Sequence, residues 1–112
     1  MITTKYISQY LTDELSDKEF DNAQSLLKEI VGIMRYNAIL DNAGYVPCNE
    51  NELVEMTVSP SIDDVYDGDI TMFKLCGYDV TIREYYHDSG SDFYAYVFEV
   101  YDNGKTYSSL NN

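Results

Sequence analysis

The sequence predicts an α+β fold: two N-terminal helices, one short and one long, packed on an antiparallel β-sheet of four to five strands joined as a meander. Three observations predict it. Apolar residues recur at helical spacing as far as about residue 42. From Glu52 onward the period shortens to two, and β-branched and aromatic residues become dense. Cys76-Gly77 and Asn103-Gly104 then stand where tight turns would join such strands into hairpins.

Thr3 and Thr4 offer N-caps for a first helix, in which Tyr6, Ile7, Tyr10 and Leu11 form an apolar stripe. Ser16-Asp17-Lys18-Glu19 has the form of a capping box, with Leu15 and Phe20 spaced to close a hydrophobic staple over it. A long helix is therefore expected from Asp17 to Asn42. Its buried face would hold Phe20, Ala23, Leu27, Ile30, Val31, Met34 and Ala38, widened by Leu26, Ile33, Ile39 and Leu40. Gly44 and Pro47 supply the stop signal.

Residues 53–58 alternate as a strand would, ending at Ser59-Pro60, and Ile70 to Leu75 is a second candidate strand. Tyr78 to His87 returns from the Cys76-Gly77 turn. The cluster Asp88 to Ser91 forms the next turn, Asp92 to Tyr101 a long aromatic strand, and Asn103-Gly104 a type I′ turn into Lys105 to Ser109. At 112 residues the chain supports one core, so residues 1–112 are read as a single domain. Its parts are a helical unit at 3–43, an acidic connector and first strand at 44–69, and a β-meander at 70–110.

Apolar residues make up 45% of the chain and run through its whole length, which separates it from disordered acidic tails. No apolar run approaches the ~18 residues of a membrane span, and the first residues lack the profile of a signal peptide. These features predict a cytoplasmic protein. Cys48 and Cys76 match no metal-binding or redox spacing and are read as reduced thiols.

Twenty acids against seven bases give a net charge of −13, which excludes direct binding to nucleic acid or anionic membranes. The charge is uneven. Between residues 36 and 73 there are eight acids and no base. Seven of those acids, Glu50, Glu52, Glu55, Asp63, Asp64, Asp67 and Asp69, lie within twenty residues, with Tyr66 among them. Carboxylates so close repel one another unless cations are supplied, so the segment is either a binding face for a cationic partner or a passive solvated surface.

Catalytic and metal chemistry find no support in the residue pattern. Asp63 to Asp69 has the look of a calcium loop, but Val65 stands at its third position and Lys74 at its twelfth, where a ligand and a bidentate acid belong. His87 is the one histidine and sits beside Asp88 at a strand end, the setting of an exposed turn residue. Carboxylate pairs are too abundant to single out a general acid and base, and glycine-rich phosphate loops are missing. The sequence thus predicts no enzyme, no metal and no cofactor.

Tyr94, Tyr96 and Phe98 would share one sheet face, and Phe93, Ala95 and Val97 the other. Most of these rings are expected in the core. Others, including Tyr78, Tyr85, Tyr86 and Tyr101, have the amphipathic character of interface anchors.

In bulk properties, and through no shared motif, the chain resembles the acidic DNA-mimic proteins that phages and mobile elements direct against restriction, CRISPR or DNA-repair enzymes. That resemblance implies an inhibitor of the anti-CRISPR or antirestriction type. Its partner would be a basic nuclease or other nucleic-acid-binding protein, gripped through Glu50, Glu52, Glu55, Asp63, Asp64, Tyr66, Asp67 and Asp69. An immunity protein against a cationic toxin, or an accessory protein acidic only for solubility, are the alternatives.

Overall fold

The computed structural model describes residues 2–36, 46–56, 61–87 and 94–111, without the side chains of Tyr36, Met56, Asp64, Tyr66, His87 and Tyr94. The first helix, α1 (Thr4–Leu15), begins where Thr3 turns extended and accepts the Tyr6 N–H on its hydroxyl at 3.1 Å. Ile7, Leu11 and Leu15 recur every four residues and are fully buried, each contributing ~1.5–3 kcal/mol of apolar burial. Tyr6, expected in the stripe, is 52% exposed.

The capping box expected at Ser16 to Glu19 does not start the next helix. Leu15 extends the buried stripe by one more turn, so Ser16 becomes the C-cap of α1 and donates its N–H to the Thr12 carbonyl. The second helix, α2 (Ala23–Tyr36), starts six residues after the expected Asp17. Asn22 is its cap: the side-chain oxygen accepts the Ser25 N–H at 2.8 Å, and its carbonyl accepts the Leu26 N–H. Ala23, Leu26, Leu27, Ile30, Val31 and Met34 form the buried face as expected, with Phe20 and Ile33 packed at its margin. The positions expected to prolong it, Ala38 to Asn42, and the Gly44 stop lie outside the described residues.

The strand expected at 53–58 is instead a helix, α3 (Glu50–Met56), with Thr57 and Val58 outside the described residues. Its capping overrides the alternating pattern. Asn49 accepts the Glu52 N–H on its side chain at 2.8 Å and the Leu53 N–H on its carbonyl. The Glu52 carboxylate reaches back to accept the Cys48 N–H, a reciprocal arrangement close to a capping box, and Glu50 and Glu52 suit the positive end of the helix dipole.

Four antiparallel strands follow in the spatial order β1-β2-β3-β4, a meander: β1 (Val65–Leu75), β2 (Tyr78–His87), β3 (Tyr94–Asp102) and β4 (Lys105–Ser108). The meander therefore begins at Val65, not at Ile70, and the acidic connector shrinks accordingly. Both expected hairpin turns are present. Cys76 and Gly77 have φ of 52° and 87°, and Asn103 and Gly104 have 49° and 81°, the paired left-handed conformations of type I′ turns. The Asp88 to Ser91 turn lies outside the described residues.

One sheet face packs on α1 and α2. Leu75, Val80, Ile82, Tyr96, Phe98 and Val100 meet the helical stripes there in a continuous core. The opposite, outer face carries Met72, Arg83, Tyr85, Glu99 and Tyr101, and buries Ala95 and Val97 outside that core, as α3 buries Leu53. Helices on an antiparallel sheet define the α+β class the sequence predicts. Among the described residues no helix is long and apolar enough to cross a membrane.

Candidate functional site

The acidic segment is not one loop. It comprises α3, a 3-10 turn (Ile62–Asp64) and the first half of β1, and each piece aims its carboxylates differently. On α3, Glu50 pairs with Val54 and Asn51 with Glu55 at i, i+4, which sets all four on one side of the helix. That side faces Ser61 and Ile62 across a shallow groove of about 370 Å³. Ser61 fixes the 3-10 turn by accepting the Asp63 N–H at 3.2 Å, so exposed Asp63 follows directly on the groove wall that Ile62 forms. Glu50, Glu55 and Asp63 are all exposed.

Asp67 belongs to the same surface by another route. It is exposed on the outer face of β1, opposite Tyr85 in the β1–β2 register. The Tyr85 phenol is pushed above its ordinary pKa, first by burial, then by Asp67, with Glu99 and Glu50 adding to the effect and Arg83 opposing it. Asp67 and Tyr85 thus face each other on the outer side of the sheet.

Asp69 goes elsewhere. Between Asp67 and Ile70 the register slips by one residue, a β-bulge that sets Gly68 and Asp69 against Glu84. The Asp69 N–H donates to the Glu84 carboxylate, so exposed Asp69 sits over the helix-facing side of the bulge. Glu52 is half-buried and committed to capping α3. The side chains of Asp64 and Tyr66 lie outside the described ones. Of the eight residues singled out in the sequence, the fold sets Glu50, Glu55 and Asp63 at one groove and exposes Asp67 on the outer sheet face, while Glu52 and Asp69 stand apart.

Internal cations do not neutralise this surface. The ion pairs among the described residues, Lys18–Glu29, Lys74–Asp79 and Arg83–Glu99, include none of its carboxylates. On the outer sheet face, Arg83 binds Glu99 at 2.6 Å, and the Tyr101 hydroxyl donates to the same Glu99 oxygen at 3.2 Å. That bond to Glu99 raises the guanidinium pKa and holds Arg83 cationic and occupied. Among the described residues no three His, Cys, Asp or Glu side chains converge as metal ligands.

Two features escaped the sequence reading. The Arg83–Glu99–Tyr101 cluster depends on the β2–β3 register, which no local pattern encodes. Glu84 was legible in principle, because alternation puts it on the same face as Val80 and Ile82. The chain has no significant match among protein-family models, curated proteins or solved structures.

Proposed function

We propose that this protein is an acidic binder of a basic nucleic-acid-processing enzyme, which it inhibits by setting carboxylates where DNA or RNA phosphates would lie. The observation that carries the reading is the exposed group Glu50, Glu55, Asp63 and Asp67, gathered around α3 and the outer sheet face with no lysine or arginine paired to it among the described residues. Charge-assisted hydrogen bonds to target Lys and Arg would supply the contacts, and electrostatic steering would speed the encounter. Occupancy, not turnover, is the mode of action. Phage-type anti-defence proteins, of the anti-CRISPR or antirestriction kind, are the closest class in this chemistry.

The test is capture from host lysate with tagged protein at two salt concentrations, followed by competition with duplex DNA. Wild type should retain a basic nucleic-acid-binding protein at low salt and release it to DNA. The combined variant Glu50→Gln, Glu55→Gln, Asp63→Asn, Asp67→Asn should lose at least tenfold in affinity, roughly 1.4 kcal/mol, while remaining folded. Undiminished capture by that variant would remove the site assignment.

A further inference from the structure

We propose that the free edge of β1 is a docking strip on which an extended, cationic segment of the partner joins the sheet as a fifth strand. The proposal rests on the acidic-binder reading for the charge of that segment alone; the strip itself follows from the backbone.

β1 is the outermost strand of the sheet and, at 11 residues, is about twice the usual length. Leu75 and Tyr78 flank the two-residue turn, so they exchange both backbone hydrogen bonds. Alternation then directs the N–H and C=O groups of Phe73 and Thr71 toward β2, and those of Lys74, Met72 and Ile70 away from it. No backbone partner meets these three outward sets among the described residues.

Open edges are commonly blunted by proline, by charged side chains or by bulges. β1 contains no proline, its one lysine, Lys74, pairs with Asp79 at 3.1 Å, and its exposed aspartates, Asp67 and Asp69, and its bulge all lie before Ile70. Apolar groups stand on the strip instead: Met72 is 77% exposed and Ile70 46%. Beside them, on the outer face, Met72, Lys74, Asp79, Thr81 and Tyr101 line a shallow groove of about 510 Å³ that can take an apolar side chain of the incoming strand.

Charge selects the occupant. A second copy would bring a net −13 against −13. From Met72 toward the start of the strand the outer face passes from apolar Met72 and Ile70 to exposed Asp67, with exposed Asp63 just ahead of the strand. A segment that alternates apolar residues with lysine or arginine matches both halves, main chain to main chain along Ile70 to Lys74 and cation to carboxylate beyond it.

The experiment is amide hydrogen exchange by NMR on the full-length protein, alone and with a synthetic alternating Val/Lys peptide of about eleven residues, or its Val/Gln counterpart. Free protein should exchange the Ile70, Met72 and Lys74 amides quickly while Thr71, Phe73 and Leu75 stay protected. The Val/Lys peptide should slow the first three at least tenfold, and the Val/Gln peptide should not. Slow exchange of those three in dilute free protein would show the edge already covered, and protection rising with protein concentration would assign it to a second copy. Either result overturns the proposal. Peptide binding with the three amides unchanged would remove the strip and leave the acidic-binder reading standing. Equal protection by both peptides would keep a strand-accepting edge but overturn its cationic occupant, and with it support for the acidic reading.

Discussion

Glu84 occupies a position that strand alternation reserves for apolar side chains, sharing the helix-facing side of β2 with Val80 and Ile82, and it is only 5% exposed. The Asp69 N–H serves its carboxylate, but Oε2 has no hydrogen-bond partner among the described residues. Burial raises its pKa, and the neighbouring Asp69 carboxylate raises it further, against the lowering effect of the N–H. The folded protein therefore keeps a proton that the unfolded chain has already released, so this residue's contribution worsens as pH rises from the ordinary carboxylate range through the raised value. Glu84→Gln should be more stable than wild type at pH 7 by ~1 kcal/mol, and the gap should close as pH falls toward 4. Urea denaturation at a series of pH values checks it, and a gap independent of pH would contradict the burial argument. Gly68 is tied to the same carboxyl: a Cβ there would overlap the Glu84 oxygen and approach its Cγ and Cδ to 3.2 Å. Gly68→Ala should cost about 1–3 kcal/mol, and much less in a Glu84→Ala background, where the obstructing group is gone.

α3 shows how an element's identity is settled by its ends. A seven-residue helix cannot sustain itself, and Leu53, Val54 and Met56 fit a strand pattern as well as a helix. Asn49 and Glu52 tip the balance by satisfying N–H groups at the start, so Asn49→Ala should cost ~1 kcal/mol of stability and speed amide exchange across residues 52–56. The pair stands in the sequence as Asn-x-x-Glu, directly ahead of an alternation that points to a strand. The converse happened at Ser16 to Glu19, where a well-formed capping signal lost to the burial of Leu15 on the α1 stripe. Turns were read more securely than helix starts. Asn103-Gly104 and Cys76-Gly77 need only a local left-handed backbone, whereas a cap competes with whatever the neighbouring residues can bury. The outward set at Ile70, Met72 and Lys74 was beyond the sequence altogether, since it depends on β1 standing at the sheet's rim.

Across the whole molecule, composition made the carboxylate excess plain but not its direction. Glu50 and Glu55 share a surface through helical spacing, Asp67 joins it through the strand register, and Asp69 is diverted by a bulge that one glycine permits. Mutual repulsion within that surface and across the net −13 opposes the compact state, and no base among the described residues relieves it there. The fold and the proposed complex must then respond oppositely to salt. Screening shortens from ~10 Å at 0.1 M to ~3 Å at 1 M, weakening repulsion inside the protein and attraction to a cationic target alike. Between ~0.05 and ~0.5 M sodium chloride, the melting temperature should rise by roughly 4 °C, about 1 kcal/mol, while partner capture falls at least tenfold. Calorimetry on wild type and on the four-site neutral variant separates local from global charge. If the surface built by Glu50, Glu55, Asp63 and Asp67 is the main source of strain, the variant should begin more stable and respond less to salt. An equal response in both proteins would mean that the repulsion is spread over all faces, and a dispersed charge offers a cationic groove nothing contiguous to hold.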